Sequence, residues 1–307
     1  MPNRSWLPGF LVLGLIWGAS FALIKIGVSA GVGPVWIALW RCFFGALALW
    51  LICAVRRSEL PRGRAVWGHA AVVALLANSV PFALFAFGET RISSVVAGVW
   101  NAATPLMTTV FALLLLRDER PTPGRLAGLA FGLTGVLVVL GVGQDTELGS
   151  VVGSLACLGA TACYGAGFAY TRRFLSGRAH SAVALSAAQI SCATGQLALV
   201  APLAEGAPSW PGFGPMAALV VLGAVGTGVA FLLNFTVIRA AGSTVASTVT
   251  YVTPLWSTAI GAVFLAEPIG WNIVAGGVLI VAGVALSRGR ARPASTRPEA
   301  APRRVRS

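Results

Sequence analysis

Two basic side chains, Lys25 and Arg41, stand inside long apolar runs. A cation in hydrocarbon costs about 2.5–3.5 kcal/mol on insertion scales, so such a group faces a cavity or a partner. If the first segment is a helix running outward and the second a helix returning, both cations sit in the outer third of a bilayer. No Asp or Glu lies within the apolar runs to neutralise them. The pair would then suit an anionic group such as a carboxylate. Each also has a plainer reading. Lys25 lies about 7 Å from the end of its segment at roughly 1.5 Å per residue, close enough to snorkel. Arg41 is deeper and could instead bond backbone carbonyls. Aromatic residues accompany these cations in a pattern. Trp17, Phe21 and Lys25 fall at i, i+4 and i+8, one face of a helix, and Tyr164, Phe168 and Arg172 repeat that spacing. Such a stripe could stack on an apolar or amphipathic substrate, or serve helix packing.

Further candidates lie near helix breaks. Pro81, Pro105 and Pro254 each remove a backbone donor inside an apolar run, freeing the carbonyls of Ala77, Asn101 and Thr250. They are expected to be hinges, or else static kinks. Asn78, Trp100, Asn101, Asn234, Tyr251 and Trp256 are polar or aromatic residues near these breaks and are candidates to line a pathway. Gln189 holds the place in the second half that Arg41 holds in the first.

The elements that must position these groups follow from composition. The chain has 307 residues, 57% of them hydrophobic and only 10% charged, with mean hydropathy +0.83. A soluble domain carries roughly 25% charged residues. Ten apolar segments reach spanning length, at 7–29, 34–55, 66–87, 92–116, 124–142, 149–171, 181–203, 215–238, 241–265 and 269–287. The first is too long for the apolar core of a signal peptide and is read as an uncleaved helix. Residues 288–307, with seven Arg, are expected to be a disordered tail.

The net charge of +13 comes from 22 basic residues, of which only Lys25 is lysine. The arginines sort by connector. Placing the N-terminus inside puts nineteen of them inside and only Arg91 outside. This bias predicts that both termini are cytoplasmic, and it assigns the positive charge to topology rather than to nucleic acid. Cys42, Cys53, Cys157, Cys163 and Cys192 lie in apolar stretches without metal-type spacing, and His69 and His180 are far apart. Neither a metal site nor a cofactor is expected.

The halves resemble each other. Trp17-Gly18 aligns with Tyr164-Gly165, Thr104-Pro105 with Thr253-Pro254, and Glu119 with Glu267; Gly128 and Gly135 align with Gly276 and Gly283. Ser94-Val95-Val96-Ala97 matches Ser243-Thr244-Val245-Ala246. Five helices per copy is an odd number, so the second copy must lie inverted, and equivalent connectors should differ in arginine content. They do: the 56–64 connector has four Arg and its mate near 204–214 has none. The expected fold is therefore an all-α integral membrane protein of ten transmembrane helices. These form a 5+5 inverted-topology repeat, 7–142 and 149–287, around a central cavity. The glycines at 124, 128, 132, 276, 277 and 283 are expected to serve helix packing; a homodimer through those faces is possible and not required.

The stretch WGASFALIK at 17–25, the embedded Arg41, and the paired TPLMTTVFALLLLRDE (104–119) and TPLWSTAIGAVFLAE (253–267) resemble the EamA-type drug/metabolite transporter superfamily. The resemblance covers residues 7–287. It implies that helices 1–4 and 6–9 surround the cavity while helices 5 and 10 pack outside it. It also implies export of amino acids, other metabolites or drugs across the cytoplasmic membrane, with a small-molecule substrate and the lipid bilayer as partners. Import, exchange and a non-transporting scaffold are the alternatives. No Walker A lysine, His-rich motif or paired embedded carboxylates suggest an enzyme. All nine acids fall at segment ends or in connectors, so facilitated diffusion or exchange is the expected energetics.

Overall fold

A computed structural model describes residues 6–59, 61, 63–115, 122–139, 148–174, 181–241, 246 and 249–287. The 288–307 tail, Arg117, Glu119, Arg120, Arg178, Ser243–Val245 and the side chains of Arg125 and Tyr251 lie outside the described residues.

The described residues are helical throughout, apart from short connectors. Seven helices are long and apolar enough to span a bilayer: α1 (Leu7–Ser29), α2 (Pro34–Val55), α3 (Arg64–Glu89), α4 (Ser94–Leu115), α6 (Leu148–Phe174), α7 (Ala182–Glu205) and α8 (Phe213–Ala240). Three shorter apolar helices complete the series: α5 (Pro123–Val139), α9 (Val249–Phe264) and α10 (Trp271–Ser287). Helix is the form that satisfies every backbone group without water. Local signals set the starts. Pro34 opens α2 after an extended Gly33, and the Ser93 side chain accepts from Val96 N–H at the start of α4. Large apolar side chains such as Leu51, Leu203, Phe213, Leu255 and Phe264 stay mostly exposed around the bundle. This outward apolar belt, on helices of spanning length, is that of a multi-pass membrane protein.

Two helices carry the same irregularity. α3 passes through a π-helical stretch at Leu75–Ser79, and α8 through one at Ala224–Val229. Pro81 follows the first of these, near the start of the α-helical part that resumes at Val80. α4 is broken at 102–103, immediately before Thr104-Pro105, whereas α9 runs through Pro254.

Packing partners come in exchanged pairs. α1 lies on α9 and α6 on α4; α8 lies on α1 and α3 on α6; α2 meets α8 and α7 meets α3. α2 with α7, and α5 with α10, pair across the halves. Glycine permits the closest of these approaches. A Cβ on Gly18 would lie 2.5 Å from Trp256 Cβ and 3.0 Å from the Thr253 carbonyl; one on Gly165 would lie 2.7 Å from the backbone of Met107. So each Trp/Tyr-Gly pair seats its helix against the proline-bearing helix of the other half. Between α5 and α10, a Cβ on Gly135 would meet the Gly276 carbonyl at 2.8 Å, and one on Gly283 would meet Gly132 N at 2.5 Å. This glycine face is covered by the chain's own neighbouring helix.

Candidate functional site

A cavity of about 320 Å³ lies within the bundle. Its walls come from every helix except α5 and α10. One end is sealed. Phe21, Ile24, Phe82 and Phe85, toward the 89–94 connector, are almost fully buried. Phe21 and Phe85 meet edge to face with centroids 5.5 Å apart. Toward the opposite end, which holds the start of α1, the lining residues Thr171, Asn234 and Phe235 are half-buried and Phe168 is exposed. The cavity therefore opens toward the end that holds the start of α1.

Of the lining residues, Arg41 alone is charged. Its Nε donates to Thr227 Oγ1 at 3.2 Å, and its guanidinium stands 3.9 Å over the Phe82 ring. That contact fixes the plane of the guanidinium and contributes about 0.5–2 kcal/mol. Among the described residues its Nη groups have no hydrogen-bond partner. In the matching place of the other half, Gln189 Nε2 donates to Asn78 Oδ1 at 2.6 Å. Asn78 and Thr227 both ride on the π-helical stretches, whose widened turn sets a polar side chain against the neighbouring helix. Next to Asn78, Ser79 Oγ donates to Gln196 Oε1 at 2.7 Å, and Gln196 reaches the Ala71 carbonyl at 2.9 Å, fastening this stretch to α7.

The wall around Arg41 is aromatic. Trp17 and Tyr164 line it from α1 and α6, and Phe231 and Phe235 from α8. Tyr164 lies 6.0 Å from Phe85, centroid to centroid. Polar positions sit toward the open end, at Asn101, Thr104, Asn234 and Thr250. An apolar body can stack on the rings while one anionic group meets Arg41.

Among the residues singled out from sequence, Trp17, Phe21, Arg41, Asn78, Asn101, Tyr164, Gln189 and Asn234 share this cavity. Others are placed elsewhere. Lys25 Nζ donates to the carbonyls of Glu89 and Ile92 at 2.7 and 2.9 Å, so the ammonium ties α1 to the 89–92 connector and is not part of the wall. Trp100 is fully buried behind the cavity, packed with Phe21, Phe85 and Ile280. Trp256 packs on Gly18. The polar wall residue Thr227 and the ring under Arg41, Phe82, were not singled out. The repeat carried a signal for both: Thr227 is the register mate of Asn78, and Phe231 that of Phe82.

The carboxylates also sort differently from their sequence appearance. Glu205 accepts from Val35 N–H and Trp36 N–H at the start of α2. Glu267 accepts from the Ser94 and Val95 N–H groups and from Ser94 Oγ at the start of α4. Each second-half Glu thus caps a first-half helix, where an anion meets the positive end of the helix dipole. Glu89 is different: it ends α3, yet it is fully buried. The five cysteines are free thiols, and among the described residues no group of His, Cys, Asp or Glu is arranged to hold a metal.

The model of the EamA-like transporter family matches residues 4–141 and 151–289. An uncharacterized transporter of Bacillus subtilis, YvbV, is 25% identical over 288 residues, 92% of this chain and 91% of that protein. A second B. subtilis transporter, YcxC, is 31% identical over 69% of this chain and 70% of its own length. The uncharacterized inner membrane transporter YedA of Escherichia coli K12 is 27% identical over 94% of both chains. A protein of known crystal structure shares the fold, with TM-score 0.64 and 22% identity over 93% of this chain and 97% of that one.

Proposed function

The chain belongs to the EamA-like transporter family, and on that premise we propose that it exports small organic metabolites bearing an anionic group on an apolar or aromatic body. The observation that carries this reading is Arg41: among the described residues the one charged group on the cavity wall, ringed by aromatic side chains, with its Nη donors unspent. A carboxylate held by such a guanidinium gains roughly 1.5–3 kcal/mol from charge-assisted hydrogen bonds. The aromatic wall supplies the apolar contact that binding sites of this size need.

Transport proceeds by alternating access of two inverted five-helix repeats, 7–142 and 149–287. The exchanged helix pairs, the two π-helical stretches and the mated bonds Arg41–Thr227 and Gln189–Asn78 support that reading. Pro105 and Pro254, at the contacts of Gly165 and Gly18, are the hinges about which the repeats rock, with Pro81 beside the π-helical stretch of α3. The arginine bias supports a cytoplasmic position for both termini, and likeness to an inner membrane transporter supports the cytoplasmic membrane. The cavity then opens to the cytoplasm, the side on which an exporter loads.

Counterflow of radiolabelled amino acids, carboxylated aromatic metabolites and their neutral esters in proteoliposomes tests this. Saturable exchange of carboxylates, with weaker exchange of the esters, is expected. Equal exchange of acid and ester would refute the role of Arg41, and no exchange across the panel would refute the substrate class.

A further inference from the structure

Glu89 is a carboxylic acid with no exposed surface and no hydrogen-bond partner for either side-chain oxygen. It stands apart from Glu205 and Glu267, whose carboxylates take backbone N–H donors. Burying an unpaired carboxylate is far more costly than burying the neutral acid. The charged and titratable groups around it are Lys25 from α1, Arg41 from α2, Cys157 from α6 and Glu267 ahead of α10. None bonds it. Lys25 is closest in function, but its ammonium spends two donors on the main-chain carbonyls of Glu89 and Ile92.

We propose that Glu89 is a proton-binding site: it holds a proton while the 89–94 end of the bundle is shut and releases it to the water on that side when the end opens. The seal over Glu89 is the seal of the cavity. One turn along α3, Phe85 meets Phe21 of α1. On the other flank, Gly88 lies so close to α6 that a Cβ there would stand 2.5 Å from Cys157 Sγ and 3.0 Å from the Gly153 carbonyl. Lys25 bolts α1 to the connector. Any movement that opens this end parts α1 from the 89–92 connector or α3 from α6, and so wets the carboxyl. Water then stabilises the carboxylate, and Lys25, freed from the two carbonyls, becomes its counter-ion. The proton leaves to bulk water as the O–H bond breaks, and closing the end takes one up again. Opening is thereby favoured by alkaline and closure by acidic conditions on that face.

The inference rests on the transporter reading only for the meaning of opening, and its test needs no flux. Infrared spectra of the full chain in lipid nanodiscs report the carbonyl stretch of a protonated carboxylic acid. That band is expected at neutral pH, lost in Glu89→Gln and kept in the control Glu205→Gln, whose carboxylate caps α2 and not the 89–94 end. Alkylation of Ile92→Cys by a water-soluble maleimide, read by peptide mass spectrometry, reports opening. Its rise with pH should be steeper than in the same protein carrying Glu89→Gln, which keeps only the intrinsic thiol dependence. A missing band, a band untouched by Glu89→Gln, or equal pH slopes would each overturn the proposal. Failure of counterflow for every substrate would remove the transport reading and leave both measurements decisive for Glu89.

Discussion

Arg41 of the first half bonds Thr227 of the second, Nε to Oγ1 at 3.2 Å, across the wall of the central cavity. The reciprocal bond runs from Gln189 of the second half to Asn78 of the first at 2.6 Å. The two bonds occupy matched places, but only one carries charge. Among the described lining residues of the cavity, Arg41 is the one cation.

Replacing that cation should separate binding from folding. Arg41→Ala is expected to weaken carboxylate substrates about 10- to 100-fold, the equivalent of losing a charge-assisted bond. Neutral analogues should change little. Arg41→Lys should recover only part, because a point charge cannot present a planar fork. Counterflow affinity for an acid and its ester, with thermal melting as the folding check, measures this.

The mate pair predicts a stability effect instead. Asn78→Ala strips the partner from the Gln189 amide inside the bundle and should cost about 1–3 kcal/mol. The double variant Asn78→Ala with Gln189→Leu should recover part of that loss, since no amide is then stranded. Thermal unfolding in nanodiscs decides, and equal melting of single and double variants would count against the pairing.

Glycine substitutions should differ in sign by position. Gly18→Ala and Gly165→Ala force a methyl into backbone within 3.0 Å and should destabilise by about 1–3 kcal/mol. Gly195, in α7, has nothing within 4 Å of a built Cβ. Gly195→Ala should therefore be neutral or stabilise by roughly 0.5–1 kcal/mol. Melting temperatures of the three variants test the contrast.

The connector end offers a dynamic prediction. Lys25→Met removes both bonds to the Glu89 and Ile92 carbonyls, and Glu267→Gln weakens the cap on Ser94 and Val95 by about 0.5–2 kcal/mol. Both should speed hydrogen exchange across residues 90–96 while leaving the α5–α10 pair unchanged. Unchanged exchange in Lys25→Met would show that its bonds do not hold this end shut.

Topology is directly testable. Tags placed before Trp6 and after Ser287 should both react only from the cytoplasmic face of intact cells. Opposite faces would dismantle the inverted-repeat reading and the direction drawn from it.

Much of the frame was legible in the sequence because it is written in properties local to each segment. Length of apolar run, proline and glycine positions and arginine content of connectors need no knowledge of neighbours. The segments read at 34–55 and 7–29 coincide with α2 and α1, and the match of Trp17-Gly18 to Tyr164-Gly165 marked two contacts that the fold builds alike. Side-chain destination was less legible. Lipid outside and packed core inside are both apolar, so a spanning helix carries little contrast between its faces to say which way it turns. Lys25 and Arg41 both read as embedded cations, Arg41 the deeper and the one expected to reach backbone carbonyls; the fold put Lys25 on the carbonyls and Arg41 on the cavity wall. Glu89 reads as a connector residue because the third apolar segment is read as 66–87. Its burial depends on α1 and α6 closing over the end of α3, a condition set by distant segments, so only the tertiary structure could decide it.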